Sequence, residues 1–200
     1  MQGKIAFEEH FALEETLGET RSFAGDSGIW DAYTKEILDL GATRLGYMDD
    51  AGIELAVLSL NAPGVQRIVD ADEAMAVARK ANDRMAEAVA ARPDRYAAFA
   101  ALPMHDADAA SAELVRCVRD MGFKGCMING FQQAGDDDTT CYYDQPEYRS
   151  FWAALAELDV PLYLHPRMQV PSQARNYEGH PWLMSAPWGF AVETSIHALR

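Results

Sequence analysis

Short apolar runs alternate along this chain with longer segments in which apolar residues recur every three or four positions. Five runs read as strands: Lys4 to Phe7, Ile53 to Leu60, Tyr96 to Leu102, Phe123 to Ile128 and Val160 to Leu164. They are nearly continuous rather than alternating, as expected for parallel strands covered on both faces. The helical segments have legible ends. Asp70 and Glu73 open one with capping spacing, Ala74, Val77, Ala78, Ala81, Met85 and Ala88 form its apolar stripe, and Pro93 closes it. A second starts near Asp106 or Asp108, turns Leu114, Cys117, Val118 and Met121 inward, and ends at Gly122. A third starts near Pro146 and is expected to bury Phe151, Trp152, Leu155 and Leu158. A fourth, about Arg44 to Asp50, precedes the second strand and stops at Gly52.

Repeated βα units predict an α/β fold with a parallel sheet and right-handed crossovers. Two closures satisfy that order, an open doubly wound sheet and a (β/α)8 barrel. No glycine-rich phosphate loop follows a strand, which removes the main support for a dinucleotide fold. In either closure the polar residues at the carboxyl ends of the strands make the site.

Composition narrows the partners. The 200 residues carry 31 acidic and 17 basic side chains, a formal charge of −14. That field argues against nucleic acid and anionic membrane, while a local metal or arginine still allows a small anionic substrate. Cys117, Cys126 and Cys141 match no zinc spacing and no closed disulfide framework. With neither a signal-peptide apolar region nor a long apolar span in view, a cytoplasmic protein is expected.

The strand ends hold the candidate chemistry. The first runs into Glu8-Glu9-His10, where alternation puts Glu8 and His10 on one face and turns Glu9 away to a structural pairing. The fifth runs into His165-Pro166-Arg167. In a barrel these two ends converge across the mouth, and one carboxylate with two imidazoles suits Zn²⁺, Mn²⁺ or Fe²⁺. Taken singly, a Glu-x-His pair is more often surface chemistry, and a histidine after a strand more often a hydrogen-bonded structural residue. Asn129 at the fourth strand end orients a hydroxyl or carboxylate, or caps the turn before Gly130. Phe23, Trp30, Trp182, Trp188 and Phe190 either line a ring pocket or cover the core, and at least half of them are expected to cover the core. The acidic loop 135–138 reads as solvated. No serine elbow or activated cysteine supports nucleophilic catalysis.

Several stretches together resemble the γ-resorcylate (2,6-dihydroxybenzoate) decarboxylases of the amidohydrolase superfamily. They are Gly3-Lys-Ile-Ala-Phe-Glu-Glu-His10-Phe, Ser59-Leu-Asn-Ala-Pro-Gly-Val-Gln66, Arg92-Pro-Asp-Arg95, Phe99-Ala-Ala-Leu-Pro103, Gly122-Phe-Lys-Gly125, Asn129-Gly-Phe131, Asp159-Val-Pro-Leu-Tyr-Leu-His-Pro-Arg167, Gly179-His-Pro-Trp-Leu183 and His197-Ala-Leu199. The resemblance implies a metal-dependent, non-oxidative decarboxylase of a hydroxybenzoate on a (β/α)8 barrel, working reversibly and without an organic cofactor. It implies Glu8, His10 and His165 as ligands of one divalent metal, Zn²⁺ or Mn²⁺. Phe23 and Phe190 match aromatics that sandwich the substrate ring, and Asn129 matches a polar substrate contact. It also implies a small aromatic carboxylate as substrate and a homodimer or homotetramer. The family needs a further histidine and a proton-donating aspartate from later strands. So residues 1–200 are expected to form a single, C-terminally incomplete barrel domain holding about the first five βα units, inactive alone. A metal-dependent hydrolase of the same superfamily and a non-enzymatic α/β domain are the alternatives.

Overall fold

The computed structural model describes residues 3–18, 21, 28–136 and 138–200. Its strands are β1 (Lys4–Phe11), β2 (Ile53–Leu60), β3 (Tyr96–Ala98), β4 (Ala100–Ala101), β5 (Cys126–Asn129), β6 (Gln132–Gln133), β7 (Thr140–Cys141) and β8 (Leu162–His165). β1 pairs with β2, β2 with β3, β4 with β5 and β5 with β8, all parallel. β3 and β4 are two halves of one run. The Phe99 N–H donates to Leu58 O at 2.9 Å on one side, and the Ala100 N–H donates to Gly125 O at 2.9 Å on the other. Strands thus lie in chain order across the sheet, the order of a barrel wall. A doubly wound sheet reverses direction at its switch point and is excluded.

The helices are α1 (Trp30–Leu38), α2 (Ala42–Ala51), α3 (Ala71–Ala91), α4 (Ala107–Val115, continued by a π-helical turn over Arg116–Asp120), α5 (Arg149–Leu158) and α6 (Gly189–Leu199). The expected caps form. The Asp70 carboxylate accepts the Glu73 N–H at 2.8 Å, and that of Asp106 accepts the Ala109 N–H at 2.8 Å. α2 ends on Gly52 at φ 67° and α5 on Asp159 at φ 52°, left-handed positions that terminate a helix.

Strand alternation divides the side chains between two faces. On the helix-covered face, Leu58, Ile128, Ala98 and Cys126 pack against Met85, Leu114, Cys117 and Phe151. Within it Asn82 is fully buried. Its amide donates to Ala101 O at 2.9 Å and to Glu113 Oε1 at 2.8 Å, and its Oδ1 accepts the Ala101 N–H at 2.8 Å. Burial works to raise the Glu113 carboxyl, but hydrogen bonds from Arg116 and Asn82 outweigh it and hold it ionised. The opposite, inner face carries a smaller cluster of Val57, Ala97, Phe99 and Met127.

Several expectations are corrected. The first strand runs past Phe7 to Phe11, so Glu8 and His10 lie within it. The fourth starts at Cys126 and the fifth at Leu162; just before both, Gly125 passes so close to Pro161 O that a Cβ would sit 2.2 Å from it. Trp152 is 42% exposed rather than buried, its indole N–H donating to Tyr143 O at 2.7 Å. α1 and the antiparallel β6–β7 hairpin had no counterpart in the sequence reading. Trp182 and Trp188 stand 59% and 58% exposed and cover no core. Cys117 and Cys126 are buried free thiols, and Cys141 is half-buried.

Candidate metal centre at the carboxyl ends of the strands

β1 slips register against β2 between Ala6 and Glu9, and Glu8 takes φ 63°. This is a β-bulge, and it puts Phe7 and Glu8, neighbours in the chain, on the same inner face. Without it, a strand that turned Phe7 inward would send Glu8 and His10 toward the helices. A non-glycine residue there costs of order 1 kcal/mol, a strain found preferentially at functional sites. Glu9, turned the other way, approaches Arg44 at 3.9 Å, in keeping with its expected structural pairing.

Three ligand atoms converge as a result. Glu8 Oε1 lies 3.1 Å from His165 Nε2, His10 Nε2 lies 3.3 Å from His165 Nε2, and Glu8 Oε1 and His10 Nε2 are 3.7 Å apart. An ion bonded at about 2.1 Å to each of three donors requires donor separations of about 3.0 Å (octahedral) to 3.4 Å (tetrahedral). The triad fits a divalent cation in size and in its N, N, O chemistry. Its charge state also fits. Burial, followed by the neighbouring His165, lowers His10 to about 4, and burial lowers His165 as well, so both imidazoles keep a lone pair at neutral pH. Burial works to raise Glu8, but the Tyr163 hydroxyl and the two imidazoles together hold it below the usual carboxylate range.

The three candidate ligands are themselves held in place. Ser59, fully buried on β2, places its Oγ 3.0 Å from His10 Nδ1, which leaves Nε2 directed at the centre. The Tyr163 hydroxyl donates to Glu8 Oε2 at 2.5 Å. Asn129 stands opposite His165 in the β5–β8 register and is 3% exposed. Its N–H donates to Gln66 Oε1 at 3.1 Å, while its side-chain Oδ1 is buried with no hydrogen-bond partner among the described residues. Phe190, on the first turn of α6, lines a cavity of about 390 Å³ with Pro63, Arg67, Gln133, Pro166 and Arg167. That cavity adjoins the centre through Pro166, the residue after His165, without including the triad itself. Phe23 lies outside the described residues.

Residues that sequence reasoning did not single out hold the mouth together. The Arg167 guanidinium donates to Phe131 O and Gln133 Oε1, both at 2.8 Å, and lies 3.9 Å above the Phe131 ring. Gln66 donates to Leu102 O at 2.8 Å. Their available signal was polar residues in otherwise apolar stretches beside strand ends, where burial demands complete hydrogen bonding.

A parallel barrel wall that brings a carboxylate and two neutral imidazoles together at its carboxyl rim could hold a divalent ion, and this defines the class of α/β-barrel proteins with a candidate metal site at the strand ends. The amidohydrolase family pattern matches residues 30–198, and the chain belongs to that family. The γ-resorcylate decarboxylases of Rhizobium radiobacter and Rhodococcus jostii are 55% and 52% identical to it over 201 and 203 residues, covering 100% of this chain and 61% of theirs. A crystal structure of 2,6-dihydroxybenzoate decarboxylase complexed with 2,6-dihydroxybenzoate superposes with a TM-score of 0.95 at 54% identity, over 100% of this chain and 61% of that one. The dihydroxybenzoic acid decarboxylase of Polaromonas sp. JS666, solved with bound manganese and the inhibitor 2-nitroresorcinol, gives 0.94 at 49% identity over 100% and 60%. The chain therefore spans about three fifths of the length of these relatives. Among the described residues no helix is long and apolar enough to cross a membrane.

Proposed function

We propose that this chain is the metal-holding part of a non-oxidative hydroxybenzoate decarboxylase, which converts 2,6-dihydroxybenzoate reversibly to resorcinol and CO₂. The observation that carries the reading is the convergence of Glu8 Oε1, His10 Nε2 and His165 Nε2 within 3.1–3.7 Å at the strand ends. Identity of 55% to a γ-resorcylate decarboxylase supports the substrate class.

Glu8, His10 and His165 would hold one divalent ion, Mn²⁺ in the first instance because a relative was solved with it, with Zn²⁺ the other candidate. When bound, such an ion acts as a Lewis acid and template for a carboxylate with an ortho hydroxyl. The chain's own residues do the rest. Asn129 Oδ1 accepts a hydrogen bond from a ring hydroxyl, which completes its bonding. Phe190, and Phe23 by resemblance, offer apolar surface to the ring. The proton for the ring carbon is assigned to an aspartate outside residues 1–200, so these residues form one barrel domain, incomplete at its C-terminal end and inactive alone. The three free cysteines suit a reducing, cytoplasmic setting. Exposed Trp182 and Trp188 suit a homodimer or homotetramer.

Metal analysis of the purified chain after gel filtration in Mn²⁺ tests the reading. About one equivalent is expected for the wild type and none for Glu8→Ala. Equal retention by both removes the ligand assignment. In a protein extended to the length of the relatives, release of CO₂ from the substrate carboxyl is expected, and hydrolysis of an ester or amide without it overturns the substrate class.

A further inference from the structure

We propose that Tyr163 is a positioning residue of the metal centre: its hydroxyl holds one oxygen of Glu8 so that the other faces both histidines. The inference rests on the reading of Glu8, His10 and His165 as metal ligands and goes beyond it to a residue two positions before one of them.

The bulge at Glu8 turns its side chain inward but does not by itself choose which carboxylate oxygen faces the centre. Free rotation about the last bond of a glutamate presents either oxygen, or both. The Tyr163 hydroxyl ends this freedom by donating to Oε2 at 2.5 Å, while Oε1 lies 3.1 Å from His165 Nε2. A hydrogen bond from a phenol to an ionised carboxylate is short and strong, and it leaves the other oxygen as a single-point ligand.

The phenol is well placed to impose that direction. Tyr163 and His165 are two apart on β8 and so share the inner face. One strand thereby delivers a ligand and the group that aims the opposing ligand. The ring is itself wedged in a row of aromatics. Tyr163 stacks on Phe99 with centroids 6.0 Å apart, and Phe99 stacks on Phe7 at 6.4 Å. Phe7 is the residue before Glu8, so the row runs from the strained backbone across the sheet and returns to the carboxylate. Ser59 does the corresponding service for His10 through Nδ1 at 3.0 Å.

The test is Mn²⁺ affinity, read from the free-ion electron paramagnetic resonance signal, on the 200-residue chain, with thermal unfolding of the metal-free forms alongside. Tyr163→Phe removes only the hydroxyl. It is expected to weaken Mn²⁺ binding about 10- to 100-fold, the usual range for such outer partners, with the metal-free melting temperature nearly unchanged. In a Glu8→Gln background the same substitution should add little, because the oxygen it orients is no longer an anion. A structural role alone would lower the melting temperature and weaken binding equally in both backgrounds, and that overturns the proposal. Tyr163→Gln, which keeps a donor on a shorter arm, is expected to recover part of the affinity. If Tyr163→Phe does not fold, Tyr163→Gln with no affinity recovered relative to Tyr163→Ala overturns the proposal in its place. Wild-type binding unchanged in Tyr163→Phe refutes the positioning role alone. A wild type that binds no Mn²⁺ refutes the metal-centre reading and this proposal with it.

Discussion

The helix-covered face of the sheet and its inner face differ in what they bury and in what they hold. The first buries Leu58, Ile128, Met85, Leu114 and Phe151 to within 0% exposure and admits polar groups only in closed sets, such as Asn82 with Glu113. The second buries Val57, Ala97, Phe99 and Met127, leaves Ile5 and Phe7 each 58% exposed, and ends in the Glu8, His10, His165 cluster. The tight packing lies on one side and the candidate metal site on the other. The inner face carries a strained glutamate and a buried Asn129 oxygen that has no hydrogen-bond partner among the described residues, the kind of local departure expected at functional sites.

Truncation on the helix-covered face should be the most damaging change. Phe151→Ala is expected to cost about 3–5 kcal/mol, the range for emptying a fully buried aromatic site, and to lower the denaturant midpoint accordingly. Glu113→Ala should cost about 2–3 kcal/mol. It strips Arg116 of the carboxylate bonded at 2.6 and 3.0 Å and leaves the Asn82 amide short of an acceptor. Chemical denaturation would register it, and a loss under about 0.5 kcal/mol, the ordinary surface value, would show the network to be dispensable.

His197 gives a pH-dependent test of the same face. Burial, then the charges of Arg200 and Arg167, lowers it to about 4 from an ordinary 6.5, while Asp144 pulls the other way. The unfolded chain therefore takes up a proton between those values that the folded chain refuses. Stability is lost as pH falls from about 6.5, with the full penalty present below about 4. The loss is bounded at about 3 kcal/mol. Burial raises the adjoining Glu193, against its hydrogen bond from Tyr142, so that group's penalty grows in the opposite direction, as pH rises. His197→Gln is expected to flatten the acid limb of a melting-temperature profile and leave Glu193's opposite slope in view. An unchanged acid limb would assign it elsewhere.

On the inner face the expected effect is smallest. Phe7→Ala in this chain should cost under about 1 kcal/mol, since a side chain already more than half exposed gives up little burial. A loss equal to that of Phe151→Ala would erase the distinction between the faces.

The sequence made the helix-covered face easiest to read. The stripe from Ala74 to Ala88 is buried position for position, because a 3.6-residue period against a flat apolar surface leaves no alternative. The three ligand candidates were legible as polar residues at strand ends, and the structure brings them together. What was not legible depends on partners distant in the chain. The bulge at Glu8 is a matter of one residue of register against β2, and no local pattern records it. Tyr163 is locally indistinguishable from the apolar residues of its strand, and its spacing of two from His165 is the signal it carries. Trp152 sits on the apolar side of the α5 pattern, yet its indole N–H is satisfied at the surface by Tyr143. Arg167 had no sequence role because its partners are carbonyls and an amide brought by the turn after β5.

The three thiols have a practical consequence for following this molecule. Burial lifts Cys117 and Cys126, the latter to about 12, which leaves almost no thiolate at neutral pH. Cys141 on the β6–β7 hairpin is only half-buried, although burial raises it too. A thiol-directed fluorophore should therefore attach at one place in the folded chain and at three in the unfolded one. The native sequence thus supplies a single labelling point for such a reporter, on the β6–β7 hairpin that follows the strand ending in Asn129.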